Sequence, residues 1–487
     1  MGIFRFAVAI MMVTAIAGCS LHKQWRGNEK ACVVAVEKHE DFSGCNDAQI
    51  QVVAQNGDPK SVLYKIGFVE FDDQGQLFKR SQMNTVLSNL QEDAGKGDVL
   101  IVVYAHGWEH RAKEGDGNID TFRKVLKETA LKEQVDAVGS KRVAREVFGI
   151  YVGWRGLSVL VPGIQILSFW DRKNTAAKVG AGDVTELLSE VELVKRTRDA
   201  IKVREQAQAA VEHCIELGAN KDLPEVKQAE DCSNALSQSK TAKSDTRLVV
   251  IGHSFGGLVV QSAIDRILID RAVRTSGADS GYQGNIEGFG NLVVLINPAF
   301  EAQRFNSMFQ LQKERATYQS NQLPVELVLT SQTDYPTKLA FPAGRILSSG
   351  FEKRGWSEKN VKALGHYGEF ITHSLEPVSE DLRKSPRYAR CFDDPKTIAQ
   401  SWFAGDRKQN KHILGGLILE RTQLSERAPF LNVTVSGKLI ADHNDLYEEP
   451  IIEFASRMIS LSSITEGQKM EAAAKAMTVG EQQTCDL

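Results

Sequence analysis

The sequence predicts an α/β fold: a mostly parallel, doubly wound sheet with an inserted helical cap. Three observations lead there. Short apolar runs rich in β-branched residues recur along the chain, as in strands buried on both faces. Helical patterns separate them, which indicates parallel strands joined by crossover helices on both sides of the sheet. Third, Arg247-Leu248-Val249-Val250-Ile251 feeds straight into Gly252-His253-Ser254-Phe255-Gly256 and then into a helical pattern from Gly256 to about Arg274. A sharp strand-to-helix turn of this kind lifts a serine hydroxyl off the end of a sheet. Small residues flank it because the backbone passes close to itself.

The chain opens with a short positive start, Met1 to Arg5, and an apolar run, Phe6 to Ile16. This reads as an export signal; a membrane span needs about 18 or more apolar residues. Ile16-Ala17-Gly18-Cys19 resembles the lipobox of bacterial lipoproteins. The resemblance implies cleavage after residue 18, with Cys19 as a lipidated mature N-terminus. Ser20 in place of the aspartate that retains such proteins at the inner membrane leans towards the outer membrane. Several acyl chains, each worth about 0.8 kcal/mol per buried CH₂, hold a protein on a bilayer far better than one does. A plain secretory signal with a chance cysteine is the alternative.

The remaining elements follow in order. Residues 19–60 form an anchor-proximal segment, and 61–156 with 246–465 form the core. Leu63 to Phe71 is a strand, Asp72 to Gln76 has turn chemistry, and Leu77-Phe78 starts a return strand. Gln82 to Gln91 is helical. Val99 to Tyr104 is a buried strand running into Ala105-His106-Gly107-Trp108, and a helix follows from about Ile119 to Glu133. Val147 to Val152 is another buried strand, ending in Gly153-Trp154-Arg155-Gly156. After the serine turn come strands at Asn291 to Ile296, Val325 to Leu329 and Leu431 to Val435, then a helix from about Pro450 to Ile459. Residues 466–487 are a tail.

From Leu157 to about Asp245 there is no good strand. Val159 to Trp170 is apolar. Val184 to about Leu217 is helical, with Leu187, Val191, Val194 and Ile201 near one face and an i, i+4 pair, Glu192 and Arg196. Part of 157–245 is the crossover helix into the serine strand. The rest reads as a cap over the carboxyl end of the sheet, with Val159 to Trp170 either lining the site as a lid or packing on the core.

Seven cysteines are present. Six remain besides Cys19, an even number that suits disulfides in an oxidising compartment. Proximity suggests Cys32–Cys45 and Cys214–Cys232, leaving Cys391–Cys485; buried free thiols are the alternative. No CxxC and no Cys/His cluster with zinc spacing occurs, so no metal site is expected. The formal net charge is only −3, which gives no reason to expect nucleic-acid binding. Oligomeric state is not legible.

A serine hydroxyl needs a base to take its proton, a carboxylate to orient that base, and donors for the oxyanion. In such folds these groups gather at the carboxyl ends of the strands, in the chain order Ser, Asp or Glu, His. His443 alone follows the last strand and precedes the final helix; His366 and His373 are alternatives, and His253 should point away. Asp334 follows Val325–Leu329, and Glu301 is the runner-up acid. The Phe255 amide is one oxyanion donor. The loop His106-Gly107-Trp108 supplies the other, from Trp108 first and Gly107 second. Trp108 and Trp154 either line the pocket or pack in the core.

Strand-HGW, strand-GWRG, GHSFGG, an aspartate after a later strand and a late HND together resemble the α/β-hydrolase superfamily in its esterase/lipase-like branch. Tyr151 to Gly156 and Leu167 to Lys173 further resemble a group of bacterial lipid-anchored α/β-hydrolase lipoproteins. The resemblance implies an α/β-hydrolase-type sheet and cofactor-free hydrolysis of a small-molecule or lipid ester. It departs from the HGGG esterases at Trp108 and Glu109. The expectation is an exported, lipid-anchored serine hydrolase with Ser254, His443 and Asp334 in the three roles. Acyl transfer, lipase action at the membrane and a non-catalytic envelope-binding lipoprotein are the competing expectations.

Overall fold

The structure is a computed structural model. It describes residues 23–463 apart from 38–39, 59, 158–168, 220–221, 241, 276–283, 316–317, 320–321, 350–356, 385–401, 403–409, 415, 425–426 and 444–448. The expected signal 1–18, Cys19, most of Val159 to Trp170, the suggested Cys391–Cys485 pair and the expected tail 466–487 lie outside the described residues.

The strands are β1 (Cys32–Ala35), β2 (Ile50–Ala54), β3 (Val62–Glu70), β4 (Val99–Ala105), β5 (Glu146–Gly153), β6 (Arg247–His253), β7 (Leu292–Ile296), β8 (Glu326–Ser331), β9 (His373–Pro377), β10 (Lys411–Leu414), β11 (Leu417–Arg421) and β12 (Phe430–Val435). They form one sheet in the order β1-β2-β3-β5-β4-β6-β7-β8-β12-β9-β11-β10. The run from β3 to β9 in that order is parallel throughout. The outer pairs turn antiparallel, β2 against β3 and β11 against β9. The fold is therefore α/β with a mostly parallel sheet, as the alternating patterns predict.

Helices α1 (Arg80–Lys96), α2 (Gly117–Gly139), α3 (Phe169–Ala181), α4 (Asp183–Ala219), α5 (Glu225–Lys240), α6 (Phe255–Arg274), α7 (Asn306–Glu314), α8 (Phe341–Ser349) and α9 (Glu449–Ser463) accompany it. One face of the sheet is covered by α1, α3, the first half of α4, α6 and α7, through residues such as Val86, Val179, Val191 and Leu258. The other is covered by α2 and α9, through Phe122, Leu126, Phe454 and Met458. Neighbouring strands β4 and β6 thus send their following helices to opposite faces, which opens a crevice at their carboxyl ends.

Two expectations change. Residues 19–60 are more than a spacer next to an anchor, because β1 and β2 extend the sheet and a Cys32–Cys45 disulfide ties the loop between them. The cap is mostly elsewhere. Helix α4 starts at the carboxyl edge, where the Asp183 carboxylate accepts from the Leu77 amide at 2.8 Å. It packs through Leu187, Val191 and Val194 and reaches the amino edge, where Asp199 accepts from the Ser244 amide at 3.0 Å, just before β6. Arg198 there pairs with Asp98, just before β4, at 3.5 Å. Seventeen residues of helix span about 25 Å, roughly the length of a seven-residue strand, so this half is the crossover. The helix then runs on past the body, turns, and returns as α5, with Cys214–Cys232 joining the two. Ile201, expected on the packed face, is 36% exposed because it lies beyond the sheet. The α4–α5 hairpin projects from the amino edge, away from Ser254. Within 157–245, the described residues at the carboxyl edge belong to the loop after β5, to α3 and to the start of α4.

Candidate active site

Ser254 occupies the turn between β6 and α6 with φ 54° and ψ −118°. Side-chain-bearing residues enter that region only under strain. Crowding explains it. A Cβ on Gly256 would lie 2.0 Å from the Ala105 carbonyl oxygen, and one on Gly252 would lie 2.7 Å from the Gly256 oxygen. These glycines let β4, β6 and α6 close on one another, and the serine is left facing the crevice. Ala105 and Gly252 are register partners, so the loop after β4 emerges beside the serine. Gly107 packs so tightly there that a Cβ would lie 2.9 Å from Ser254 Cβ.

Ser254 Oγ is 2.8 Å from His443 Nε2, and His443 Nδ1 is 2.9 Å from Asp334 Oδ1. Asp334 follows β8 and His443 follows β12, adjacent parallel strands that end on the same edge. A carboxylate only accepts, so Nδ1 carries the imidazole proton and Nε2 is free to accept from the hydroxyl. This geometry suits proton transfer from the serine to a base held in one tautomer.

Each member has further support. Asp334 is fully buried. Its Oδ2 accepts from Thr337 Oγ1, and its Oδ1 accepts from the Thr337 amide at 3.4 Å. Thr337 Oγ1 is also 2.9 Å from His366 Nε2. Because the hydroxyl proton goes to Asp334, His366 must be the donor in that contact. Burial pushes His366 down to about 4, so it is neutral around pH 7. His366, expected as an alternative base, therefore stands behind Asp334 instead of beside the serine.

The main-chain oxygen of His443 accepts from His253 Nε2 at 3.2 Å and from Asn297 Nδ2 at 3.1 Å. Asn297 has φ 44°, a conformation asparagine tolerates better than most residues. Its Oδ1 accepts from the Ser331 amide at 2.9 Å, so one side chain joins the ends of β7 and β8 to the His443 loop. Ser331 Oγ and Thr333 Oγ1 both bond the Ile440 carbonyl, at 2.6 and 3.0 Å. His253 was expected to point away from the site. Its ring instead packs beneath His443, with centroids 5.2 Å apart. Burial holds its pKa well below the usual value, so it acts as a neutral donor.

The loop after β4 is held just as firmly. The Trp154 amide donates to His106 Nε2 at 3.1 Å, and its indole Nε1 donates to the His106 carbonyl at 3.0 Å. The two rings stack with centroids 5.4 Å apart and planes 4° from parallel. Burial keeps His106 neutral, pushed down to about 4. The Glu109 amide donates to the Gly156 oxygen at 3.2 Å and the Gly156 amide to the His110 oxygen at 3.0 Å. Trp154 is thus core packing that locks this loop. Trp108 is half-buried and meets Phe169 edge-on at 5.4 Å, and Phe169 packs on Phe255 at 4.7 Å. These rings make an apolar wall next to Ser254. Phe255 is the first residue of α6, so its amide has no acceptor within the helix. With the Trp108 and Gly107 amides close by on the facing loop, it borders the space above Ser254.

The other sequence candidates lie elsewhere. Glu301 is ion-paired with Lys173 at 2.6 Å and Arg345 at 3.1 Å. His373 opens β9, buried against Thr372 Oγ1 at 2.9 Å. Sequence reasoning missed His253, Asn297 and Thr337 as supports. Only Asn297 carried a signal, as a strand-end asparagine before Pro298. Among the described residues no group of His, Cys, Asp or Glu could hold a metal ion, and no helix is long and apolar enough to cross a membrane. No protein-family model, curated protein or solved structure matches the chain.

Proposed function

We propose that this chain is an exported, lipid-anchored serine hydrolase of the α/β-hydrolase type that cleaves a carboxylic ester through an acyl-enzyme. One observation carries the reading. Ser254, at positive φ on a strand-to-helix turn, has its Oγ 2.8 Å from an imidazole whose far nitrogen is 2.9 Å from a buried aspartate. In the proposed reaction His443 takes the serine proton as Oγ attacks the ester carbonyl. The Phe255 and Trp108 amides, with Gly107 as the second choice on that loop, receive the oxyanion. His443 then protonates the departing alcohol. Water, deprotonated by the same imidazole, attacks the acyl-enzyme and releases the acid. Asp334 keeps the imidazole in the working tautomer and stabilises its charged form.

The wall of Trp108, Phe169 and Phe255 supports an apolar acyl group. Residues 1–19 support export and lipidation at Cys19, and Ser20 supports the outer membrane. The deciding experiment is labelling with a fluorophosphonate, followed by peptide mass spectrometry. The reading expects one adduct, on Ser254, together with turnover of a soluble ester. Absence of both would leave a binding protein and end the proposal.

A further inference from the structure

The first described residues dock on the same edge of the sheet as Ser254. The amides of Trp25 and Arg26 donate to the Glu70 carboxylate at the carboxyl end of β3, both at 2.8 Å. Arg26 is fully buried. It donates to the Ala112 carbonyl at 2.7 Å, the Cys45 carbonyl at 3.0 Å and the Glu114 carboxylate at 2.9 Å. The chain is therefore fixed from residue 25 onward. Cys19 is four residues before Lys23, at most about 14 Å of extended chain.

Around half-buried Trp25 stand three cations: Lys23 at 4.3 Å from the ring centroid, Lys113 at 5.6 Å and Arg111 at 5.8 Å. Lys23 and Lys113 are exposed. Buried Arg26 and Arg123 share Glu114, and Glu70 also accepts from the Arg26 amide; Asp116 bonds the His110 ring and the Arg111 amide. Half-buried Asp116 and exposed Glu109 therefore stand against Lys23, Arg111 and Lys113, which leaves the patch with a net positive charge. It borders the site directly: a Cβ on Gly156 would lie 2.7 Å from the carbonyl oxygens of both His110 and Gly107, and Gly107 packs on Ser254.

We infer that Lys23, Trp25, Arg111 and Lys113 form a docking surface for an anionic bilayer, and that the protein works with the carboxyl edge of its sheet, and so Ser254, turned towards the lipid. The short tether from Cys19 rests on the lipid-anchor reading; the patch itself does not. Basic residues next to an aromatic ring suit the headgroup layer, where the cations meet lipid phosphates and the indole sits at the interface. The α4–α5 hairpin, on the opposite edge, then points away from the membrane.

The test uses the chain produced from Ser20 onward, which carries neither the lipid nor the apolar signal, in co-sedimentation with phosphatidylglycerol-containing vesicles and with pure phosphatidylcholine vesicles. Preferential binding to the anionic vesicles is expected, weakening with salt. Lys23→Gln/Lys113→Gln should lower the partition coefficient by on the order of 30-fold, with turnover of a soluble ester unchanged. Equal binding to both vesicles, or an unchanged partition in the double variant, overturns the docking surface. The mass of the wild-type N-terminal peptide is read separately. Patch-dependent binding together with an unacylated Cys19 supports the surface and removes only the anchor. An acylated Cys19 without patch dependence removes only the surface.

Discussion

His253 Nε2 bonds the main-chain oxygen of His443, so the residue before the serine in the chain holds the residue that the serine contacts. Asn297 Nδ2 reaches the same oxygen from the end of β7. His443, the proposed base, is thus positioned through its backbone by two buried side chains that never touch the hydroxyl. Asn297→Ala should lower kcat for ester hydrolysis by about 10- to 100-fold with little change in KM, because a small misplacement of the base is felt in the transition state. A KM effect alone would assign Asn297 to substrate binding.

Ser254→Ala should abolish fluorophosphonate labelling and lower turnover by on the order of 10⁶-fold, with an unchanged circular dichroism spectrum. His443→Ala should be nearly as damaging, and Asp334→Asn should cost about 10⁴-fold through the wrong tautomer. Full activity in His443→Ala, or a larger loss in Glu301→Gln than in Asp334→Asn, would contradict the assignment.

Thr337→Val removes the hydroxyl that donates to Asp334 Oδ2 while keeping the shape of the side chain. The carboxylate then loses a donor that fixes its orientation towards His443. kcat should fall by about 10-fold with little change in KM, and Thr337→Ser should restore it. A purely structural role would lower stability and leave kcat unchanged.

Glu326 at the start of β8 is completely buried, and desolvation with Asp265 nearby raises its carboxyl pKa to about 8 from 4.5. The folded state therefore binds a proton that the unfolded chain releases. This contribution is fully present below pH 4.5 and is lost as pH rises through about 8. The stability gain from Glu326→Gln should be greater at pH 7 than at pH 4 by on the order of 3 kcal/mol. Urea titrations at the two pH values measure the difference, and an equal gain at both would refute it.

Phe169 touches both Trp108 and Phe255. Phe169→Ala should widen the wall and shift preference towards longer acyl esters in a graded way, since each methylene is worth about 1–3 kcal/mol. An unchanged chain-length profile would remove Phe169 from the acyl pocket.

The central strands were legible because burial on both faces writes a continuous apolar run, as in Val99 to Tyr104, and the serine turn because its glycines have one steric purpose. The outer strands were not. β9 and β11 each bury only two residues, His373 with Leu375 and Leu417 with Leu419, and what defines these strands is pairing between segments about 40 residues apart. The helical period of Val184 to Leu217 was readable, but a period carries no direction. Only the contacts of Asp199 and Arg198 reveal that this helix runs to the opposite end of the sheet. The histidines show the same limit. Chain order singled out His443, while the neutral, buried supporting roles of His106, His253 and His366 depend on neighbours distant in sequence.

The ends of that long excursion meet. Asp199 Oδ1 accepts from both the amide and the hydroxyl of Ser244, at 3.0 and 2.7 Å. The described residues between them form an outgrowth closed at its base, with its own disulfide and almost no share in the core. Closure entropy grows only slowly with loop length. Such an appendage can be lengthened, shortened or exchanged with little consequence for the sheet or for the serine at its other edge. The chemistry and whatever the outgrowth meets are thereby free to diverge independently, and residues 200–243 offer a natural graft point at which an engineer could replace the hairpin with a foreign domain.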